Sequence, residues 1–321
     1  MSEFISCLAP AINAMMDYRV ALGYSRNTYI PQLKSLDRFC AANYPEADTL
    51  TRDAVINWLE EQHSGIGNKI AAARLLGEYL NAIGKESYVL HKDYMRKSKH
   101  RRAYIFNDKE LTALFRAIDK TTATTSEPFL HEIAPVLYRL IYTCGLRPNE
   151  GRNLKCEHVN LQTGEILIVA TKGKKERLVV MSNDMRSLCR SYDKRRDIFA
   201  RGSEYFFPSW ESGDPLGVHQ INYYLRDAWN RANPKVEGSK LPGIRVYDLR
   251  HRFASAVLIR WLDSNKPLNT KLPYLRTYMG HNSLSETAYY IHLLPENLVK
   301  SAGIDWAVFD EVVPEVISWE E

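Results

Sequence analysis

Apolar residues at helical spacing fill the first quarter of the chain. Side chains three and four residues apart share one face of a helix, so this spacing indicates amphipathic helices with one buried side. Gly23, Pro45 and the stretch HSGIG (63–67) interrupt the pattern. Four helices are predicted, over residues 5–23, 27–44, 52–62 and 70–84. Residues 1–91 should therefore form a small four-helix domain.

In the remainder of the chain, the pattern of apolar and polar positions predicts helices on both sides of one β-rich stretch. Asn107, with Glu110 three residues later, is typical of a helix start, and a long apolar pattern ends at Gly145, a residue suited to a left-handed turn. The stretch EILIVATKGKKERLVVM (165–181) has two β-rich runs around a turn, which predicts a hairpin. Further helices are predicted over residues 184–199, 219–232 and 248–262. Residues 107–300 are thus predicted to be mainly helical with a small sheet.

The composition fits two ordinary globular domains. The chain has 321 residues, of which 45% are hydrophobic and 25% charged. It contains no run of 18 apolar residues, and its first residues lack a basic segment followed by a long apolar one, so we expect a cytoplasmic protein without a membrane partner. The five cysteines are scattered and include no C-x-x-C pair, which favours small core residues over disulfides or a zinc site.

The positive charge is unevenly distributed. Residues 301–321 hold six acidic residues and no Lys or Arg, so residues 1–300 contain 43 basic residues against 32 acidic ones. A predicted linker over residues 92–106 includes KDYMRKSKHRR, with six Lys or Arg and one Asp. Such a run fits either a solvated surface or contact with nucleic acid.

Three short stretches carry candidate chemistry. Arg147 precedes Pro148 at a predicted helix start, where free N–H groups and a guanidinium can bind a phosphate together, although a simple pair with Glu150 is the alternative. Tyr247 and Arg250 are three residues apart and share a helix face. The lysines of TKGKKER are most simply a solvated turn.

Two adjacent tyrosines lie in GHNSLSETAYYIHL (280–293). On a helix, neighbouring side chains point about 100° apart, so Tyr289 and Tyr290 cannot both serve one point in space. Leu284, Ala288 and Ile291 are spaced like a buried stripe, with both tyrosines off it on opposite sides. Periodicity therefore does not choose between them.

Four stretches of the sequence resemble, in the same order, the catalytic boxes of the tyrosine recombinase (phage integrase) family, of the integrase/Xer-like kind. They are GLRPNEGRNL, TKGKKERLVV, YDLRHRFAS and MGHNSLSETAYYIHL. The resemblance spans about residues 107–295. It implies an α+β catalytic domain, and the four-helix segment is similar in layout to the family's core-binding (SAM-like) domain. In the family, the nucleophile lies nine residues after the histidine of the Gly-His step. That spacing leads from His281 to Tyr290 and leaves Tyr289 as a packing or orienting neighbour.

The resemblance implies cutting and rejoining of DNA through a 3′-phosphotyrosyl intermediate and a Holliday junction. Arg147 and Arg250 would stabilise negative charge on the phosphate, and Lys172 would protonate the departing 5′-oxygen. The catalytic residues implied are Arg147, Lys172, Tyr247, Arg250, His281 and Tyr290. Tyr247 stands where the family usually has His or Lys, which leaves open the base that activates Tyr290. No cofactor and no metal are implied.

The implied partner is double-stranded DNA, bound by a homotetramer on two sites, with a DNA-bending protein as a possible accessory and the nucleoid as the location. The residues expected to contact DNA are Arg96, Lys97, Lys99, Arg101, Arg102, Lys174 and Lys175. The acidic, aromatic tail (301–321) should dock, either on its own catalytic domain or on a neighbouring protomer. The alternatives are a type IB topoisomerase-like enzyme and a catalytically silent DNA-binding protein.

Overall fold

A computed structural model describes residues 4–94, 103–169, 176–200, 202–264, 268–291 and 294. The chain divides into two compact units, Met1–Arg101 and Arg102–Glu321. The predicted fold class is confirmed, because the structure is mostly helical with one small antiparallel sheet. The predicted linker residues Arg96, Lys97, Lys99, Arg101 and Arg102 lie outside the described residues, as do Lys172, Lys174, Lys175 and the tail. None of the described helices is both long and apolar enough to cross a membrane.

The first unit contains the four predicted helices. They are α1 (Ala9–Ala21), α2 (Ile30–Asn43), α3 (Arg52–Glu60) and α4 (Ile66–Ala82). Trp58 and leucines from each of the other three helices or their ends are fully buried in one core. The buried Asp37 carboxylate accepts hydrogen bonds from the backbone N–H groups of Ile5 and Ser6, which ties the start of the chain to α2.

The second unit is built around helix α6. Its elements are α5 (Asp108–Asp119), α6 (Leu130–Thr143), α7 (Pro148–Arg152), β1 (Glu165–Ile168), β2 (Arg177–Val180), α8 (Asn183–Phe199), α9 (Val218–Ala232), α10 (Val246–Asp263), α11 (Leu268–Met279) and α12 (Leu284–Ala288). Helix α6 is strongly apolar and packs against α5, α7, α8 and α10. The Tyr138 hydroxyl, buried in this core, donates to the Ile221 carbonyl oxygen at 2.7 Å.

Local signals in the sequence correctly marked the ends of these elements. Asn107 accepts a hydrogen bond from the Glu110 N–H, and the Glu110 carboxylate accepts one from the Asn107 N–H, so the capping box predicted for α5 is present. Gly145 follows α6 with φ +62°, and a Cβ there would lie 2.5 Å from the Phe253 ring. The turn after α6 therefore requires glycine on two grounds, its backbone angle and this close approach.

The predicted hairpin is also present. β1 pairs with β2 in antiparallel register, with Ile166 opposite Val179 and Leu167 opposite Leu178. Ile166 and Val179 are buried, whereas Leu167 and Leu178 are exposed, as the two-residue period of a strand requires. Lys172 lies in the sequence between the two strands, outside the described residues.

Two expectations need correction. Cys7 is exposed and Cys156 is partly exposed, so only Cys40, Cys144 and Cys189 are buried core residues. Helix α12 ends at Ala288, so Tyr289 and Tyr290 lie in a turn after it, and the helical stripe does not govern their burial.

Candidate active site

Arg147 begins the site at the N-terminus of α7. Pro148 takes the first helical position, where its missing N–H costs no hydrogen bond. The Glu150 carboxylate accepts from the Arg147 backbone N–H at 2.7 Å and from its guanidinium at 2.8 Å. The pair considered as the alternative is therefore present, but it is largely buried, with the Arg147 side chain 17% exposed.

Glu150 also binds an arginine from the hairpin. Arg177 donates two hydrogen bonds to its carboxylate, at 2.9 and 2.7 Å, and a nitrogen of Arg250 lies 3.9 Å away. Burial alone would raise the pKa of the Glu150 carboxyl, yet hydrogen bonds and charge from Arg177 and Arg147 lower it to about 2. Three guanidiniums thus surround one carboxylate, which leaves the cluster with an excess of positive charge.

Arg250 lies in the first turns of α10 and is fully buried. Its guanidinium donates to the carbonyl oxygens of Gly145 and Met279, each at 2.6 Å. These contacts join α10 to the turn before α7 and to the end of α11. Burial lowers the pKa of Arg250 from its ordinary value, so bringing a negative group beside it is favourable.

Tyr247 and His251 lie one turn apart on α10. Their ring centres are 4.9 Å apart. Burial lowers the pKa of Arg147, but the hydrogen bond to Glu150, the charge of that carboxylate and the nearby Tyr247 phenol raise it, and the raising effects prevail. Tyr247 is thus placed beside the cluster of arginines.

The turn after α11 brings a histidine to the same place. Gly280 has φ +63°, and its carbonyl oxygen accepts a hydrogen bond from the Arg147 guanidinium. His281 follows, with Nδ1 2.7 Å from the Thr287 hydroxyl oxygen. Burial, reinforced by the charges of Arg250 and Arg147, lowers the pKa of His281 to about 3, so the ring is neutral near pH 7.

Tyr290 lies among these groups and Tyr289 does not. Tyr290 is 2% exposed, its hydroxyl is 3.2 Å from His251 Nδ1, and its ring stacks on that of His281 at 5.9 Å. Tyr289 is 43% exposed. Burial raises the pKa of Tyr290 to about 12, although the charge of Arg250 acts in the opposite direction. The fold therefore separates two residues that sequence periodicity could not.

Five of the six predicted catalytic residues are brought together from three segments of the chain. They are Arg147, Tyr247, Arg250, His281 and Tyr290. The sixth, Lys172, and the neighbouring Lys174 and Lys175 lie outside the described residues. The roles of all these residues stay predictions.

Two residues of the site were not predicted from the sequence, Arg177 and Thr287. Arg177 and Val179 are two apart on one strand and so face the same way, and Val179 is an apolar residue of the kind that turns inward. An arginine on the buried side of a strand needs an acidic partner. That reasoning would have marked Arg177, whereas no local signal identifies Thr287.

An excess of fixed positive charge beside a buried phenol suits an anionic ester of phosphorus. Guanidiniums bind phosphate oxygens in a forked geometry, and the phenol can act as nucleophile and then as leaving group. The fold and this site define a class of enzyme that transfers phosphoryl groups through a tyrosine.

Comparison with known proteins agrees with that class. The sequence model of the Phage integrase family matches residues 105–297, and the chain belongs to this family. It is 26% identical over 310 residues to "Putative integrase/recombinase y4rB" of Sinorhizobium fredii, covering 93% of this chain and 96% of the relative. It is 31% identical over 162 residues to "Tyrosine recombinase XerD" of Rhizobium meliloti, covering 50% of this chain and 48% of that protein.

Solved structures show the same fold. The XerH site-specific recombinase bound to palindromic difH substrate has a TM-score of 0.62 at 20% identity, over 88% of this chain and 80% of that one. The Tn1549 transposon integrase in complex with circular intermediate DNA has a TM-score of 0.63 at 12% identity, and the match covers 90% of this chain and 97% of that one. The protein is a tyrosine-type site-specific DNA recombinase.

Proposed function

We propose that the protein exchanges DNA strands by direct attack of Tyr290 on the scissile phosphate. The observation that carries this proposal is the burial of one tyrosine hydroxyl beside Arg250, His251 and His281. Attack joins the phenolic oxygen to phosphorus and releases a 5′-hydroxyl, which leaves a 3′-phosphotyrosyl bond. The 5′-hydroxyl of another strand reverses the step, so the bond energy is retained and strands pass through a Holliday junction.

The arginines supply the electrostatic part of the reaction. Negative charge grows on the phosphoryl oxygens during attack, and fixed guanidiniums stabilise it more in the transition state than in the ground state. Arg147 and Arg250 take this role, and His281 donates a hydrogen bond to the phosphate. Lys172 protonates the departing 5′-oxygen by the family resemblance, and Tyr247 holds a phosphate oxygen through its hydroxyl.

The protein binds DNA through more than its active site. The core-binding domain (1–91), the linker (92–106) and the catalytic domain (107–300) contribute surfaces, and the linker cations with Lys174 and Lys175 contact the phosphate backbone. Neutralising the five linker cations should weaken binding to all sequences alike and flatten its salt dependence. If the slope of DNA affinity against salt concentration were unchanged, the linker would be better interpreted as a solvated surface.

Strand exchange requires two sites, so the active form is a homotetramer on DNA. A tail (301–321) that reaches a neighbouring protomer would support its assembly, and a DNA-bending protein can assist. The enzyme acts in the nucleoid, where its substrate is. Recombination is favoured over topoisomerase activity because relatives that match along nearly the whole chain are named integrase/recombinase.

The covalent adduct tests the proposal. Sheared genomic DNA of the source organism is incubated with the protein, and SDS-stable complexes are recovered and sequenced to find the target site. Adducts should form in EDTA, because guanidiniums supply the charge in this mechanism. Tyr290→Phe should abolish them and Tyr289→Phe, its matched control, should not. Loss of the adduct in the Tyr289 variant alone would refute the assignment.

A further inference from the structure

The proton on the Tyr290 hydroxyl needs an acceptor before the oxygen can attack. An acceptor must lie within hydrogen-bond reach of the proton it takes. His251 Nδ1 is 3.2 Å from the Tyr290 hydroxyl oxygen, and the two ring centres are 5.4 Å apart. Helix α10 therefore presents a ring nitrogen to the nucleophile itself.

Two other groups nearby are less suited to this task. His281 stacks on Tyr290, but its Nδ1 is engaged by the Thr287 hydroxyl at 2.7 Å. Tyr247, at the position where the family usually has His or Lys, is a phenol and a weak base near neutrality. The replacement at Tyr247 leaves the site without its usual base, while His251 lies one helical turn further on.

We propose that His251 Nδ1 accepts the phenolic proton of Tyr290 as the tyrosine attacks the phosphate. This rests on the proposed role of Tyr290. The O–H electron pair stays on the phenolic oxygen, which forms the bond to phosphorus while the bond from phosphorus to the 5′-oxygen breaks. The 5′-oxygen takes its proton from the general acid, and the imidazolium keeps the phenolic proton. In religation the imidazolium returns that proton to the departing tyrosine.

The charges around His251 make it responsive to DNA. On its own helix it faces Arg245, Tyr247 and Arg250, and beyond that helix it faces Tyr290 and His281. Burial first, then Arg245 and Arg250, lower the pKa of His251 to about 4, so the ring is neutral and able to accept near pH 7. A phosphate bound beside Arg250 offsets the guanidinium charge, which raises the pKa of His251 and makes it a stronger base once substrate is present.

The rate of adduct formation tests the assignment. The substrate is the duplex recovered by covalent trapping, nicked and carrying sulfur in place of the scissile 5′-oxygen, so that the leaving group needs no proton. His251→Gln keeps a polar side chain without a base and should slow adduct formation by at least about 100-fold, with DNA binding unchanged. His219→Gln, on the exposed surface of α9, is the matched control and should react at the normal rate.

The pH dependence and chemical rescue separate catalysis from structure. With the unaltered protein, the rate should rise with pH and level off above the pKa of one group. With His251→Gln, it should keep rising as hydroxide replaces the base. Added imidazole should raise the rate of adduct formation by His251→Ala at least about 10-fold, which is part of the roughly 100-fold contribution expected of a general base.

Several results would overturn the role of His251. The first is a normal rate of adduct formation in His251→Gln. The second is a His251→Ala variant that binds DNA but is not rescued by imidazole. The third is an unaltered protein whose rate of adduct formation rises with pH without levelling off. The last needs no variant, so it holds even where substitutions prevent folding. Failure of the unaltered protein to form any adduct would instead count against the proposed function as a whole.

Discussion

Arg177 and Glu150, 27 residues apart in the sequence, form a two-bond ion pair at the centre of the active site, at 2.9 and 2.7 Å. Their side chains are 8% and 7% exposed. Arg177 also donates to the Tyr278 carbonyl oxygen at 2.8 Å. Through these contacts the first residue of β2 fixes the hairpin to α7 and to the end of α11.

Removing Arg177 should cost stability because it leaves a buried carboxylate with less compensation. We expect Arg177→Ala to lower the free energy of unfolding by about 3 kcal/mol, the scale for breaking a buried ion pair from one side. The change in this free energy is measured by urea denaturation, from the unfolding transition of the catalytic unit. Lys155→Ala breaks an exposed pair of similar length with Glu204 and should change the transition far less. Equal effects of the two substitutions would contradict a structural role for the buried pair.

The buried histidines predict an acid-side loss of stability. Their folded pKa values are about 4 for His251 and about 3 for His281, below the ordinary value of 6.5. Between pH 6.5 and 4 the unfolded chain binds protons that the folded chain does not, so the free energy of unfolding must fall as the pH falls through this window. The double variant His251→Gln/His281→Gln should flatten that slope, measured by urea denaturation at several pH values. His219→Gln should leave it as it was.

How far the sequence predicts the structure depends on the range of the interactions. The capping box of Asn107 and Glu110 and the turn at Gly145 rest on contacts within a few residues, and both were correctly predicted. The hairpin was predicted too, since its two strands are close together in the sequence. Each of these features is decided by local hydrogen bonds or backbone angles.

The choice between Tyr289 and Tyr290 shows where local reasoning fails. It assumed a continuous helix, but α12 ends at Ala288, and Tyr290 is buried against His251 from α10 and His281 from the turn before α12. The family resemblance chose Tyr290 because motif spacing records such long-range contacts. The pair of Arg177 and Glu150 was missed because the sequence suggested for Glu150 only a nearby partner, Arg147, and no local signal connects it to Arg177, 27 residues further on.

Arg147 and Arg250, the two arginines proposed to bind the phosphate, should differ in their structural importance. Arg147→Ala and Arg250→Ala should each slow adduct formation by at least about 100-fold, the scale of losing one fixed charge donor. Arg250→Ala should also lower the melting temperature more, because it leaves the buried carbonyl groups of Gly145 and Met279 without their donor. Adduct kinetics and thermal unfolding on the same preparations would measure both. Similar melting temperatures for the two variants would argue against the structural part of this prediction.

Gly280 offers a way to move the arginines without replacing them. It has φ +63°, and a Cβ there would lie 3.1 Å from Arg177 Nη1 and 3.4 Å from Arg147 Nη1. Gly280→Ala therefore adds backbone strain of about 1–2 kcal/mol, and its methyl group also crowds the Arg177 side chain and contacts the Arg147 guanidinium. Gly213→Ala is the matched control, because Gly213 has φ +72° and nothing within 4 Å of the added methyl group. Both variants should lose similar stability in urea denaturation, but only Gly280→Ala should slow adduct formation. Equal rates of adduct formation in the two variants would contradict this prediction, because they would mean that the arginines accommodate the methyl group without losing their proposed alignment on the phosphate.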